Sequence, residues 1–187
     1  MFLITPGLGS LTPGYLMLMP KRHLLSSANF NPNELKRYLN LGNGLREIMG
    51  DVYGINPIFW ENGTGLAPKY SNCIPHSHTQ VAAINFDKER EAQIIERVKL
   101  KKFDMSKIND LVGNDYLTYW NENGDAFYTF EEKPRQFMRQ QYAEQAGKPS
   151  EWNWRESENA GLENIAKTIE QLKKPFEKYL PEFALSK

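Results

Sequence analysis

Cysteine is nearly absent: Cys73 is the only one in 187 residues. One cysteine excludes an intramolecular disulfide framework, so the core must come from apolar packing, and a reducing compartment suits the thiol. Net charge is absent too, with 23 basic residues against 23 acidic. That excludes a broad cationic field for nucleic acid, and any anion must be held by local groups. Long apolar runs are missing as well. Met1–Ile4 is apolar, but Pro6 and Gly7 cut the run far short of a signal peptide or membrane span. A soluble cytoplasmic protein, with neither nucleic acid nor membrane as partner, is the expectation. There is no internal repeat or low-complexity tract. Histidine is scarce: there are three, two of them in one tripeptide.

What is present reads as short strands and periodic helices, long enough for one domain with a sizeable core and a helical appendage. Phe2–Thr5 and Tyr15–Met19 read as strands around the loop Pro6-Gly7-Leu8-Gly9-Ser10, and the apolar run Tyr15–Met19 reads as core. Asn31-Pro32-Asn33-Glu34 opens a helix with a cap, a first-position proline and a capping-box glutamate. Leu35, Tyr38, Leu39, Leu45, Ile48 and Met49 keep helical spacing to Gly50. Gly42 and Gly44 weaken that helix by about 1 kcal/mol each relative to alanine, which leaves room for a close contact. Pro57–Glu61 is a strand, and Asp87 opens a charged helix to about Leu100. Tyr116–Trp120 and Ala126–Phe130 flank the hairpin signal Asn123-Gly124. Pro134–Gly147 reads as a short helix. Leu162 to Leu180 traces an apolar helical stripe that Pro175 should kink or end. Together these predict an α+β fold, an antiparallel sheet with packed helices. Residues 1–131 would form the main domain and 132–187 a helical C-terminal extension packed on it.

The chemistry is concentrated in Cys73-Ile74-Pro75-His76-Ser77-His78-Thr79-Gln80-Val81-Ala82-Ala83-Ile84. Read as a strand, this stretch turns His76, His78 and Gln80 to one face, about 7 Å between successive side chains, and Ser77, Thr79, Val81 and Ala83 to the other. Groups at that spacing fit around a phosphate. The plain alternative is a solvated strand face carrying two ordinary histidines. Cys73 has no helix N-terminus or basic neighbour to activate it and reads as a small filler. With no Cys-x-x-Cys, a structural zinc is unsupported.

His-Ser-His-Thr-Gln resembles the motif of the histidine-triad (HIT-like) superfamily in its His-x-His-x-Gln form. The common hydrolase branch has a third histidine where this chain has Gln80. The glutamine form is similar to the galactose-1-phosphate uridylyltransferases and the diadenosine polyphosphate phosphorylases. Pro13-Gly14-Tyr15-Leu16-Met17-Leu18-Met19-Pro20-Lys21-Arg22-His23 resembles the family's Pro-Gly-aromatic strand and Pro-Lys-x-His signature. Phe59-Trp60-Glu61-Asn62-Gly63 resembles the strand and turn before the motif in the uridylyltransferases. The three stand in the family's order over residues 1–85. The resemblance implies a HIT-like fold, a homodimer, and a covalent nucleotidyl-histidine at His78, with no cofactor beyond a divalent metal ion accompanying the nucleotide. The second ring nitrogen of His78 would need an acceptor, a backbone carbonyl near His76. His76 would position the phosphate or support His78, and Gln80 would donate its amide to a phosphoryl oxygen.

The resemblance also nominates residues around the substrate. Asn62 aligns with a substrate-contacting asparagine, and Cys73 stands where the uridylyltransferases carry a serine near the phosphate. His23 is implied to line the phosphate region, and the loop Pro6–Ser10 to lie near the nucleoside. Gly7 occupies the place of the hydrolase branch's ribose-binding aspartate. Family members usually carry residues before the first matched strand, so a shortened N-terminus is a further expectation. Gln136-Phe137-Met138-Arg139, followed by Trp152-Asn153-Trp154-Arg155, resembles the C-terminal part of some bacterial members. Gln136 and Arg139 are therefore candidates for the far phosphate or leaving group, since arginine offers a planar donor fork; structural pairing of Arg139 is the alternative.

Gln80 bears on the reaction. An amide cannot give a proton to a leaving group at neutral pH, whereas a histidine can. Stable phosphate leaving groups and phosphate acceptors are therefore favoured, which means nucleotidyl transfer or phosphorolysis of a nucleotide phosphoanhydride or nucleotide sugar. The alternatives are a dinucleoside polyphosphate hydrolase and a nucleotide-binding protein whose catalysis has lapsed.

Overall fold

The computed structural model describes residues 1–65, 76–156 and 161–185. Among these, seven strands form one antiparallel sheet: β1 (Phe2–Pro6), β2 (Tyr15–Pro20), β3 (Ile58–Gly63), β4 (Thr79–Ala82), β5 (Lys101–Phe103), β6 (Tyr116–Trp120) and β7 (Ala126–Thr129). Their order across the sheet is β1-β2-β4-β3-β6-β7-β5. The helices are α1 (Pro32–Tyr53), α2 (Lys88–Arg97), α3 (Phe137–Gln145) and α4 (Leu162–Leu185). The architecture is α+β, and no described helix is long and apolar enough to cross a membrane.

The two-residue period of the strands puts an apolar cluster on each side of the sheet. Leu16, Leu18, Phe59 and Val81 pack with Leu41, Leu45, Ile48 and Met49 of α1, and Leu172 of α4 joins them. Tyr15, Ile58, Trp60 and Ala82 turn the other way, against Ile94 of α2 and Phe137, Met138 and Tyr142 of α3. The sheet therefore lies between α1 with α4 and α2 with α3. Helix α1 starts on a complete capping box: Asn31 Oδ1 accepts from the Glu34 amide and Glu34 Oε2 from the Asn31 amide, both at 3.0 Å. A β-carbon on Gly42 would fall 2.9 Å from the Trp120 ring, so that glycine does admit a close neighbour. The helix passes Gly50 and stops where Gly54 takes a left-handed φ of 68°.

Two sequence expectations change. Strand β4 begins at Thr79, so His76, Ser77 and His78 precede it rather than belonging to it. The opposing end of β2 explains this. Pro20 has no N–H to offer, its carbonyl lies 2.8 Å from His76 Nε2, and the Ser77 amide bonds to the Leu24 carbonyl at 2.6 Å. Alternation persists nonetheless, with Ser77 and Thr79 buried and His76 and His78 half-buried. Pro175 does not end the last helix: α4 runs through both Pro175 and Pro181. Leu172 before the proline and Phe176 and Leu180 after it all pack into the α1-side cluster, which offsets the lost backbone bond.

Candidate active site

Gln80 sits on the interior strand β4, opposite Met17 of β2 on one side and Trp60 of β3 on the other. Cross-strand neighbours on one face lie about 5 Å apart, so Met17, Gln80 and Trp60 form a row across the sheet. Tyr15, Asn62 and His78 each stand two residues from a member of that row, on the same face. All six line a cavity of about 150 Å³ on the α2–α3 side. Leu8 from the β1–β2 loop, Gln136 and Arg139 at the start of α3, and Trp154 and Arg155 complete the lining.

His78 Nδ1 lies 2.8 Å from the carbonyl of His76. A carbonyl only accepts, so Nδ1 carries the hydrogen and the neutral ring keeps its lone pair on Nε2. His76 is held the opposite way round, its Nε2 donating to the Pro20 carbonyl at 2.8 Å. His23 is exposed and packs edge-on against His76, ring centres 5.3 Å apart. Neither His76 nor His23 is among the residues lining the cavity. The structure thus brings His78, Gln80, Asn62, Gln136 and Arg139 together around the cavity and sets His76 and His23 against each other, outside its lining. Cys73 lies outside the described residues.

Gln80 is polarised by Tyr15, whose hydroxyl donates to Gln80 Oε1 at 2.6 Å. Burial raises the Tyr15 pKa, against a smaller opposing pull from Arg139, so the phenol keeps its proton at neutral pH. With the carbonyl oxygen engaged, the free end of Gln80 is its amide NH2, a donor. Tyr15 in turn stacks on Tyr142, 5.3 Å between ring centres, and on Trp60 at 6.2 Å.

Arg139 is 3% exposed. Its Nε donates to the Trp152 carbonyl and its Nη2 to the Gly9 carbonyl, both at 2.5 Å, and its Cζ lies 5.5 Å over the Tyr15 ring. Gly9 makes this possible: its φ is +74°, and a β-carbon there would fall 2.3 Å from Trp154 Cβ and 2.5 Å from Arg139 Nη2. Gln136 precedes α3 at a φ of 53°, an uncommon conformation for a residue with a side chain. No aspartate or glutamate is among the described residues lining the cavity, whereas Arg139 and Arg155 are both cations. Its field favours an anion.

On the opposite face, Glu61 follows Trp60 and is fully buried. It accepts from the Ser27 amide at 3.0 Å, the Ser27 hydroxyl, the Ser77 hydroxyl at 2.7 Å and the Tyr116 hydroxyl at 2.6 Å. Ser77 is the residue between the two histidines, so Glu61 anchors the His76–His78 segment from below. Sequence reasoning read Tyr15–Met19 as core throughout and gave Trp60 and Glu61 no role. The two-residue period could have found Trp60, which shares a face with Asn62, but not Tyr15, whose companions on its face are Met17 and Met19. Glu61 carried no such signal.

Comparison with known proteins adds no identity. No protein-family model matches the chain, and no curated protein matches it significantly.

Proposed function

We propose that this protein is a HIT-like nucleotide-processing enzyme that moves a nucleoside monophosphate through His78, by nucleotidyl transfer or phosphorolysis. The observation that carries the reading is the His78 tautomer: Nδ1 is tied to the His76 carbonyl, which leaves the Nε2 lone pair for attack. In the first step Nε2 attacks the α-phosphorus, an N–P bond forms, and the P–O bond to the leaving group breaks with its electron pair departing on oxygen. The Nδ1 proton stays on the ring, where the His76 carbonyl supports the added positive charge. In the second step an acceptor oxygen attacks phosphorus and the N–P bond breaks, returning the lone pair to Nε2.

Gln80 donates its amide N–H to a phosphoryl oxygen, fixed in that sense by the Tyr15 hydroxyl on its carbonyl. The cationic lining supports a phosphate-bearing substrate. At about 150 Å³ the cavity is smaller than the roughly 300–1,000 Å³ of pockets that enclose a whole ligand, so it suits the phosphoryl centre better than an entire nucleotide.

Incubation with nucleotide sugars and dinucleoside polyphosphates labelled at the α-phosphate should give an acid-labile, base-stable protein adduct. His78→Ala should abolish it and lower turnover by roughly 10³-fold or more. No adduct with any of these substrates would sink the reading. Among turnover products, dependence on added phosphate selects phosphorolysis over hydrolysis.

A further inference from the structure

Arg139 and Arg155 both line the cavity, but they stand in opposite situations. Arg139 is 3% exposed and committed within the chain: Nε donates to the Trp152 carbonyl, Nη2 to the Gly9 carbonyl, and the side chain also bonds Tyr15. Those bonds tie the β1–β2 loop to the segment after α3. The next three residues of the loop are held by the same part of the chain. Asn164 donates to the Ser10 carbonyl at 2.8 Å, Lys148 to the Leu11 carbonyl at 3.1 Å, and Tyr142 accepts from the Thr12 amide at 3.0 Å. Trp154 seats against this loop so closely that Gly9 leaves no room for a β-carbon between them. Arg155, by contrast, is exposed. Its Cζ lies 4.7 Å over the Trp154 ring, and among the described residues no carboxylate or carbonyl bonds to it. The adjacent carboxylate, Glu156, is taken by the Asn153 amide. A guanidinium held over an indole face still has its planar fork of donors to give.

We infer that Arg155, presented by Trp154 at the open edge of the cavity, is the residue that selects for a second phosphate on the substrate, next to the one attacked by His78. Arg139 is the strut that holds the Gly9 loop against Trp154, and it gives no donor to the substrate. This rests on the function proposed above and names a specificity residue for it. A cavity of about 150 Å³ holds little more than the phosphoryl centre, so the rest of the substrate crosses the rim where Arg155 stands. No acid among the described lining residues competes for the guanidinium there, and its fork matches two phosphate oxygens at once. At an exposed rim such a contact sets preference between substrates rather than the bulk of their affinity.

The test is calorimetric titration of the mono- and diphosphates of adenosine, guanosine, uridine and cytidine into the full chain carrying His78→Ala, so that nothing turns over. For whichever base binds, the diphosphate should be held about tenfold more tightly than the monophosphate, the effect of a charge-assisted hydrogen bond. Adding Arg155→Gln, at an exposed position that folding tolerates, should bring that ratio close to one by weakening the diphosphate alone. Arg139→Lys should weaken both alike and leave the ratio standing. A ratio near one in the parent overturns the assignment, and so does a ratio that survives Arg155→Gln. Equal weakening of mono- and diphosphate by Arg155→Gln, or loss of the ratio in Arg139→Lys instead, overturns it too. If none of the eight probes binds while the His78 adduct forms, the assignment falls alone. If both experiments fail, the nucleotide reading falls with it.

Discussion

Trp60 and Glu61 are neighbours on β3 and face opposite sides of the sheet, and their surroundings differ in one respect. Glu61 is a buried carboxyl group with four donors turned toward it. Trp60 is a buried ring whose one polar atom has no partner among the described residues. Burial alone does not separate the two faces, since both residues are inaccessible. Satisfaction does. A fully bonded polar cluster rigidifies what surrounds it. Under the proposed function the α1 side is the scaffold and the α2–α3 side is the working face.

The strongest way to break this contrast is to unsatisfy the scaffold. Glu61→Ala strands four donors in the interior and should cost about 3–5 kcal/mol, read as a lower urea midpoint. Because Ser77 loses its anchor between the histidines, adduct formation at His78 per folded molecule should fall as well. Stability loss with an unchanged adduct rate would mean that Glu61 holds the fold only and not the histidine segment.

How much of this was legible in the sequence depends on the range of each interaction. Helix α1 was readable from Asn31 to Met49 because a capping box and an apolar stripe are local. The hairpin between β6 and β7 was readable from Asn123-Gly124 for the same reason. Strand β5 was not, being three residues, Lys101–Phe103, paired only with β7. His76 and His78 were placed on a strand because β-propensity cannot register Pro20 across the sheet, whose missing N–H and side-chain-occupied carbonyl stop the ladder there. The candidate site was legible where residues share one short stretch of chain, as His78 and Gln80 do. Arg139 and Gln136 were nominated through a resemblance. Nothing local linked Arg139 to Gly9, 130 positions away.

The next effect sharpens the comparison by ionising groups on both faces. Tyr38 and Tyr116 lie in the scaffold cluster, and Tyr15 and Tyr142 in the working-face cluster. Burial raises the pKa of each, that of Tyr142 to about 12. A phenol whose folded pKa exceeds its unfolded value of about 10 ionises first in the unfolded chain, so its contribution is complete below pH 10 and is lost above it. Each such tyrosine should remove about 1.4 kcal/mol of stability per pH unit beyond that point, until its folded pKa is reached. Urea midpoints measured from pH 8 to 11.5 should fall steeply above 10. Tyr142→Phe should flatten the fall by one tyrosine's share. An unchanged slope in that variant would mean that Tyr142 ionises in the folded protein, and that the working face is more hydrated than its packing indicates.

The smallest effect asks whether the two faces are separable at all. Asn31 caps α1 on the side of the sheet away from the cavity, and its side chain bonds to Glu34 of the same helix. Asn31→Ala removes one side of the capping box and should cost about 1 kcal/mol. That is enough to move the urea midpoint and too little to unfold the chain. If the sheet insulates its faces, nucleotide affinity and the rate of adduct formation at His78 stay at wild-type values. A fall in either one, in a variant that remains folded, would mean that loosening α1 is felt at Gln80 and His78. The cluster around Glu61 would then transmit strain from scaffold to site, because it joins the Ser26–Asn29 turn just before α1 to Ser77 just before β4.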